Sequence, residues 1–200
     1  MCFVYNGWVM SDYLIKRKAF NVKEVIDEKH QIIERKNRLF FVTHFDDAIS
    51  FDRALRINKG FDSRGIQVPK IKFKNKANND LIYEYFDADR VIKDLQFGDL
   101  KEEVYDELFK MFWRCKQEKM TLDFDPENFI FFNGKLYYLS LKLSKLENKD
   151  DFLNHDLKMW FYTKELEKLL KEKGLKTEGK VEEEYATNKR ITLMCVKYYR

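Results

Sequence analysis

The chain has 200 residues, of which 44% are hydrophobic and 16% aromatic, a composition that excludes a disordered segment and predicts a packed core. The net charge of +4 accommodates an anionic ligand but does not by itself indicate a nucleic-acid-binding protein. Three widely spaced cysteines form no CxxC pair and have no adjacent histidine. This argues against a disulfide framework or a zinc site and favours a reducing compartment.

The first residues lack the basic region and apolar run of a signal peptide. No stretch approaches the roughly 20 apolar residues that a membrane helix needs. We therefore expect a cytoplasmic protein that does not act in a membrane.

Strands dominate the first part of the chain. An Asn6-Gly7 turn predicts a hairpin within Phe3–Met10. A helix is predicted to begin at Asp46-Asp47 and to end near Gly60 or Gly65. Runs of β-branched and aromatic residues predict five further strands, at Tyr13–Phe20, His30–Glu34, Leu39–Phe45, Ile71–Lys74 and Leu81–Phe86.

Helices dominate the second part, which begins with a predicted polar connection over Asp87–Phe97. Asp99 with Glu102 three residues later predicts a capping box at the start of an amphipathic helix. An Asn-Gly turn then predicts a hairpin of Phe129–Phe132 and Leu136–Leu141. The remaining predictions are a helix over Asp156–Lys173 that stops at Gly174, and a strand or short helix over Ile191–Tyr199. This order predicts an α+β fold.

The most informative segment is Leu122–Ile130, in which Asp123 is followed five residues later by Asn128. In phosphoryl transfer an aspartate accepts the proton of the acceptor hydroxyl, while an asparagine on the same loop ligates a magnesium ion under the triphosphate. A loop of this length would place both side chains at the mouth of one cleft. The alternative is a surface loop in which the aspartate and asparagine only form turns.

This loop and three other segments resemble the protein-kinase-like superfamily, in particular the small kinase of the KEOPS tRNA-modification complex and the lipopolysaccharide-core sugar kinases. The other segments are Gly65–Lys70, Leu81–Phe86 and Asn154–Leu157. The resemblance implies a two-lobed α+β fold, with a strand-rich N-lobe over residues 1–86 and a helical C-lobe over residues 87–200.

The resemblance also implies roles for individual residues. Asp123 would be the catalytic base, and Asn128 a metal ligand. Asp156 would cap a helix that supports the catalytic loop. The implied cofactors are ATP and magnesium, and the main chain of a hinge would bind the nucleotide at Glu84, Tyr85 and Phe86.

Several kinase features are missing. Ser140 stands where the metal-binding aspartate of the DFG motif is expected, and a neutral hydroxyl is a poor substitute for a carboxylate on Mg²⁺. The third strand has no lysine, although His44 could replace it if protonated. Asp52 is the only acid near the expected helix glutamate, and Gly7 stands alone where a glycine-rich loop is expected.

Two functions therefore remain open. One is a divergent ATP-dependent phosphotransferase that acts on a hydroxyl acceptor. The other is an inactive pseudokinase that binds or regulates a protein partner, because loss of several charged groups together removes much of the charge that phosphoryl transfer needs. An RNA-associated accessory protein is a third, less favoured interpretation, and a nucleic-acid partner is not expected.

Overall fold

The structure is a computed structural model that describes residues 20–146, 151–154 and 156–198. Apart from Phe20, the predicted hairpin within Phe3–Met10 and the predicted strand Tyr13–Phe20 lie outside the described residues. The described chain divides into two compact units. One contains the residues up to Gly60 together with Pro69–Asp87, and the other contains Phe61–Val68 and the residues from Ala88 onward. The assignment of residues 1–86 and 87–200 to two kinase-like lobes stays a prediction.

The first unit is built on a five-stranded antiparallel sheet in the order β1-β2-β3-β5-β4. A two-residue turn joins β2 to β3, and both its residues, Lys36 and Asn37, have the positive φ that suits a tight hairpin. The strands are β1 (Asn21–Val25), β2 (His30–Arg35), β3 (Arg38–His44), β4 (Ile71–Asn75) and β5 (Asp80–Glu84). This sheet, together with the helices, confirms the predicted mixed α and β content.

Helix α1 (Ala48–Ser63) follows β3, as predicted. Asp47 caps its first turn, because the Asp47 carboxylate accepts a hydrogen bond from the Ser50 amide at 2.8 Å. The helix continues through Gly60 and stops before Gly65, whose φ of +71° is a conformation that glycine adopts without strain. Of the two predicted ends, the second is the correct one.

A small aromatic core lies on one face of the sheet. Ile33, Val42 and Ile82, from three neighbouring strands, are almost completely buried together with Phe20. The rings of Phe20, Phe40 and Phe73 meet edge to face, with centroids 5.5–6.1 Å apart. Phe20, predicted as the end of a strand, belongs to no strand in the structure.

The second unit combines helices with two short two-stranded sheets, in which β6 pairs with β9 and β7 with β8. The 3₁₀ turns Pro126–Asn128 and Asp156–Trp160 interrupt the series. The elements are α2 (Val91–Leu95), α3 (Glu102–Gln117), β6 (Met120–Leu122), β7 (Phe129–Phe132), β8 (Lys135–Tyr138), β9 (Leu143–Lys145), α4 (Asp151–Asn154), α5 (Lys164–Glu172) and α6 (Glu184–Tyr198). No helix of the described residues is long and apolar enough to span a membrane.

The hairpin predicted for Phe129–Phe132 and Leu136–Leu141 is confirmed. Its turn lies at Asn133 and Gly134, and its second strand ends at Tyr138. The segment Asp87–Phe97, predicted as a short polar connection that is packed rather than floppy, is packed but is not polar throughout. This segment contains α2, which buries three apolar side chains because they recur on one face of the short helix, namely Val91, Ile92 and Leu95.

The predicted capping box of α3 is wrong. Lys101 occupies the N-cap position without a side-chain cap, and the Asp99 carboxylate instead pairs with Arg190 at 2.8 Å. The long helix predicted over Asp156–Lys173 is interrupted, because Thr163 caps a new helix by accepting a hydrogen bond from the Leu166 amide. A strand or a short helix was predicted over Ile191–Tyr199, and residues 191–198 of this segment belong to the longer helix α6.

The segment after α5 is tied to the end of α2. The amides of Glu178 and Gly179 donate hydrogen bonds of 3.0 and 3.1 Å to the carbonyl of Gln96. A Cβ atom at Gly179 would overlap the ring of Tyr162, which is 2% exposed. Glycine is therefore required here by the close approach to the ring.

We predict that Gly179→Ala lowers the free energy of unfolding by about 1–3 kcal/mol, because the added methyl group overpacks a buried aromatic side chain. Urea denaturation of the two proteins measures the difference. In a Tyr162→Leu background the same substitution should cost clearly less. An equal cost in both backgrounds would contradict the proposed clash.

Candidate functional site

The loop between β6 and β7 is folded by its own side chains. Asp125 caps the 3₁₀ turn, because its carboxylate accepts a hydrogen bond from the Glu127 amide at 2.9 Å. The side-chain amide of Asn128 donates to the main-chain carbonyl of Asp123 at 3.1 Å. This bond joins the two ends of the loop and brings the two predicted site residues together.

The Asp123 carboxylate forms an ion pair with Lys142. The Lys142 Nζ atom lies 2.8 Å from Asp123 Oδ2, and the Lys142 side chain is 74% exposed, against 32% for Asp123. The Tyr138 hydroxyl supports the pair, since it accepts from the Asp123 amide at 3.2 Å and donates to the Lys142 carbonyl at 2.9 Å. Sequence reasoning missed Lys142, because it is the pairing of β9 with β6, with Leu143 opposite Leu122, that brings Lys142 beside Asp123.

The ion pair affects the protonation of both partners. Partial burial raises the pKa of Asp123, but hydrogen bonds from Lys142 and from the Asp125 amide outweigh it, so the pKa lies below its ordinary value. The hydrogen bond to Asp123 raises the pKa of Lys142. Both groups are therefore charged at neutral pH.

A buried tryptophan supports the loop from the protein interior. The Trp160 indole donates to the Phe124 carbonyl at 2.8 Å, and the Trp160 carbonyl accepts from the Tyr105 hydroxyl at 2.8 Å. Asp156, the predicted support, begins the same 3₁₀ turn and is half-buried. The 3₁₀ turn begins where the start of a helix was predicted. Its hydrogen bond to the loop comes from Trp160, and the supporting role of Asp156 stays a prediction.

Two further cations hold the outer part of the loop. Lys173 pairs with Glu127 and lies 3.8 Å from the Asp125 carboxylate. Arg90 lies 3.6 Å from the Glu127 carboxylate and donates to the Glu127 carbonyl. Each of the three carboxylates of the loop therefore has a cationic side chain beside it.

The carboxylates of this loop fit a magnesium ion poorly, because each of them has a cationic side chain beside it. Mg²⁺ prefers octahedral oxygen coordination that includes carboxylates. Within the described part of the chain, no group of three or more His, Cys, Asp or Glu side chains could hold a metal ion. Asn128 has Ser140 rather than a second acid as its expected co-ligand, and the Asp123 carboxylate is already paired with Lys142.

The predicted nucleotide hinge follows β5 in the first unit. The Glu84 amide donates to the Lys70 carbonyl at 3.0 Å, and the Glu84 carboxylate accepts from the Lys70 amide and pairs with Lys72. Glu84 therefore serves to pair β5 with β4. Nucleotide binding by the main chain of Glu84, Tyr85 and Phe86 stays a prediction, and Tyr85 and Phe86 are half-buried.

His44 has a structural partner. Its Nδ1 atom lies 3.0 Å from the buried carboxylate of Asp80, which also accepts from the Asn75 amide at 3.0 Å. Burial raises the pKa of Asp80, and the hydrogen bonds from His44 and Asn75 oppose this effect. His44 is thus held at the end of the sheet by Asp80, and its replacement of the missing lysine stays a prediction.

Comparison with known proteins gives a low overall similarity. No protein-family model matches the chain, and no curated protein matches it. Among solved structures, the chain is similar to the choline kinase LicA from Streptococcus pneumoniae, with 14% identity and a TM-score of 0.42 over 95% of this chain and 89% of that chain. At this similarity, the function of the chain has to be argued from its own residues.

We predict that Trp160→Phe lowers the free energy of unfolding by about 1–3 kcal/mol, because it leaves the buried Phe124 carbonyl without its donor while keeping an aromatic ring. Denaturant titration followed by circular dichroism measures the effect. Trp113→Phe is the matched control, since Trp113 is 41% exposed and should tolerate the change. Equal effects of the two substitutions would contradict a special role of the Trp160 hydrogen bond.

We also predict that the stabilisation by Asp123 depends on pH. Because the folded-state pKa of Asp123 is depressed, its contribution is present above the ordinary aspartate pKa of about 4 and is lost as the pH falls through the folded-state value. The difference in unfolding free energy between wild type and Asp123→Asn should therefore shrink between about pH 7 and about pH 3. Lys142→Met should reduce this pH dependence, and a difference that is constant with pH would contradict it.

Proposed function

We propose that this chain is a divergent kinase-like phosphotransferase that transfers the γ-phosphoryl group of ATP to a hydroxyl acceptor. The observation that carries the proposal is the loop in which the Asn128 side chain binds the Asp123 carbonyl while Lys142 pairs with the Asp123 carboxylate. Phosphoryl transfer depends mainly on positioning and on charge. The loop offers a proton acceptor, an amide and a cation within a few ångströms.

In the proposed reaction, the acceptor oxygen forms a bond to the γ-phosphorus while its proton passes to the Asp123 carboxylate. The bond between the γ-phosphorus and the oxygen that bridges it to the β-phosphorus breaks, and ADP leaves. The Asp123 carboxylate is ionised at neutral pH, as a proton acceptor must be. The Lys142 ammonium offsets negative charge on the phosphates.

The competing proposal is a pseudokinase that binds a partner or a nucleotide without transferring phosphate. The poor fit of this loop to magnesium supports it, because most of the metal's charge would have to come from elsewhere. Ser140 in place of an acid supports it as well. Catalysis by Asp123 separates the two proposals.

We predict that the purified chain forms ADP from ATP, and that Asp123→Ala lowers this rate by at least about 100-fold, since it removes the proton acceptor. ADP release is measured with Mg²⁺, with Mn²⁺ and with EDTA. Asp89→Asn is the control, because Asp89 is an exposed acid of the same unit that pairs with Lys93. ATP binding without ADP formation by the wild type would favour the pseudokinase, and ADP formation that survives in Asp123→Ala would refute the role of Asp123.

A further inference from the structure

The main chain of Lys142 is held in place by hydrogen bonds, whereas its charged side chain is exposed to solvent. Its carbonyl accepts from the buried Tyr138 hydroxyl at 2.9 Å, and its amide donates to the Ser140 hydroxyl at 3.2 Å. Its side chain is 74% exposed. The Nζ atom can therefore move from Asp123 to a neighbouring anion by rotation of its own side chain, without a change in the loop.

The other cations of the loop are held differently. Lys173 has two carboxylate partners, Asp125 and Glu127, and its side chain is only 29% exposed. Arg90 is engaged by both the carboxylate and the carbonyl of Glu127. Lys142 has a single carboxylate partner among the described ion pairs and is the most exposed of the three. An incoming anion therefore binds Lys142 at a lower free-energy cost than it binds Lys173 or Arg90.

The pairing of Asp123 with Lys142 also reduces the electrostatic repulsion between the loop and a phosphate group. A carboxylate alone would repel a phosphate group, and in metal-dependent sites a divalent cation offsets this repulsion. Here the ammonium group already neutralises the carboxylate at 2.8 Å. A lysine binds phosphate as a compact point charge with three donors, which needs no metal.

We infer that Lys142 takes the place of the divalent cation, so that the chain binds a nucleoside triphosphate through its phosphates in the absence of metal. This inference rests on the proposed function, which supplies ATP as the ligand. Phosphate binding draws Lys142 away from Asp123 and leaves the carboxylate open to an acceptor hydroxyl.

The test is isothermal titration of the full chain with ATP in EDTA and, separately, in magnesium. The dissociation constant in EDTA should be no weaker than in magnesium. Lys142→Ala should weaken ATP binding in EDTA by about tenfold, the effect of losing one charge-assisted hydrogen bond. Lys135→Ala is the matched control, because Lys135 is an exposed lysine on the preceding strand β8, and it should leave the affinity unchanged.

The Asp123→Asn variant distinguishes direct binding by Lys142 from binding through a metal ion, because the two mechanisms predict opposite changes in ATP affinity. If Lys142 binds the phosphates directly, removal of the competing carboxylate should strengthen ATP binding in EDTA several-fold. If a metal ion bound through Asp123 mediates binding, the same substitution should weaken it. Circular dichroism of each variant confirms that the chain is folded.

Binding that requires magnesium, or a Lys142→Ala protein with wild-type affinity, would overturn the inference while leaving the proposed phosphotransferase intact. The absence of ATP binding in both buffers would overturn the inference and the proposed function together.

Discussion

The carbonyl of Phe124 is buried, and a buried carbonyl needs a hydrogen-bond donor. Trp160 supplies that donor, and its ring also contacts the ring of Phe129, the first residue of β7, at 5.1 Å between centroids. One buried side chain thereby fixes both the loop and the start of the hairpin that follows it. Lys142 directly precedes β9, which pairs with β6 opposite Leu122, so the ion pair at Asp123 depends on that pairing as well as on the folded loop.

The charges of the loop form a second constraint. Three acids at alternate positions would repel one another, and the cations that offset them come from distant segments: Arg90 precedes α2, Lys142 follows β8 and Lys173 ends α5. The loop is thus stabilised by cations from other segments of the chain.

The sequence was sufficient where the signal is local. Strands β2 and β3, helix α1 and the Asn-Gly hairpin follow from hydrophobic period and turn residues. The sequence was insufficient where a contact depends on a residue far away in the chain. The Asp99 carboxylate pairs with a residue 91 positions away instead of capping α3, and Trp160 reaches Phe124 across 36 positions. Such contacts are made by tertiary packing, which leaves no periodic pattern in the chain.

The replacement of a divalent ion by a lysine has a consequence for catalysis. A single ammonium group attracts the phosphates in the ground state, whereas a metal ion bridges phosphate oxygens and follows the charge that develops during transfer. Interactions that are equally strong in the ground state and the transition state increase affinity without increasing the rate of the chemical step. A site that relies on Lys142 should consequently bind nucleotide better than it turns nucleotide over. The proposed phosphotransferase and the pseudokinase then differ only in the rate of phosphoryl transfer. That rate depends on how much more strongly Lys142 stabilises the transition state than the bound nucleotide.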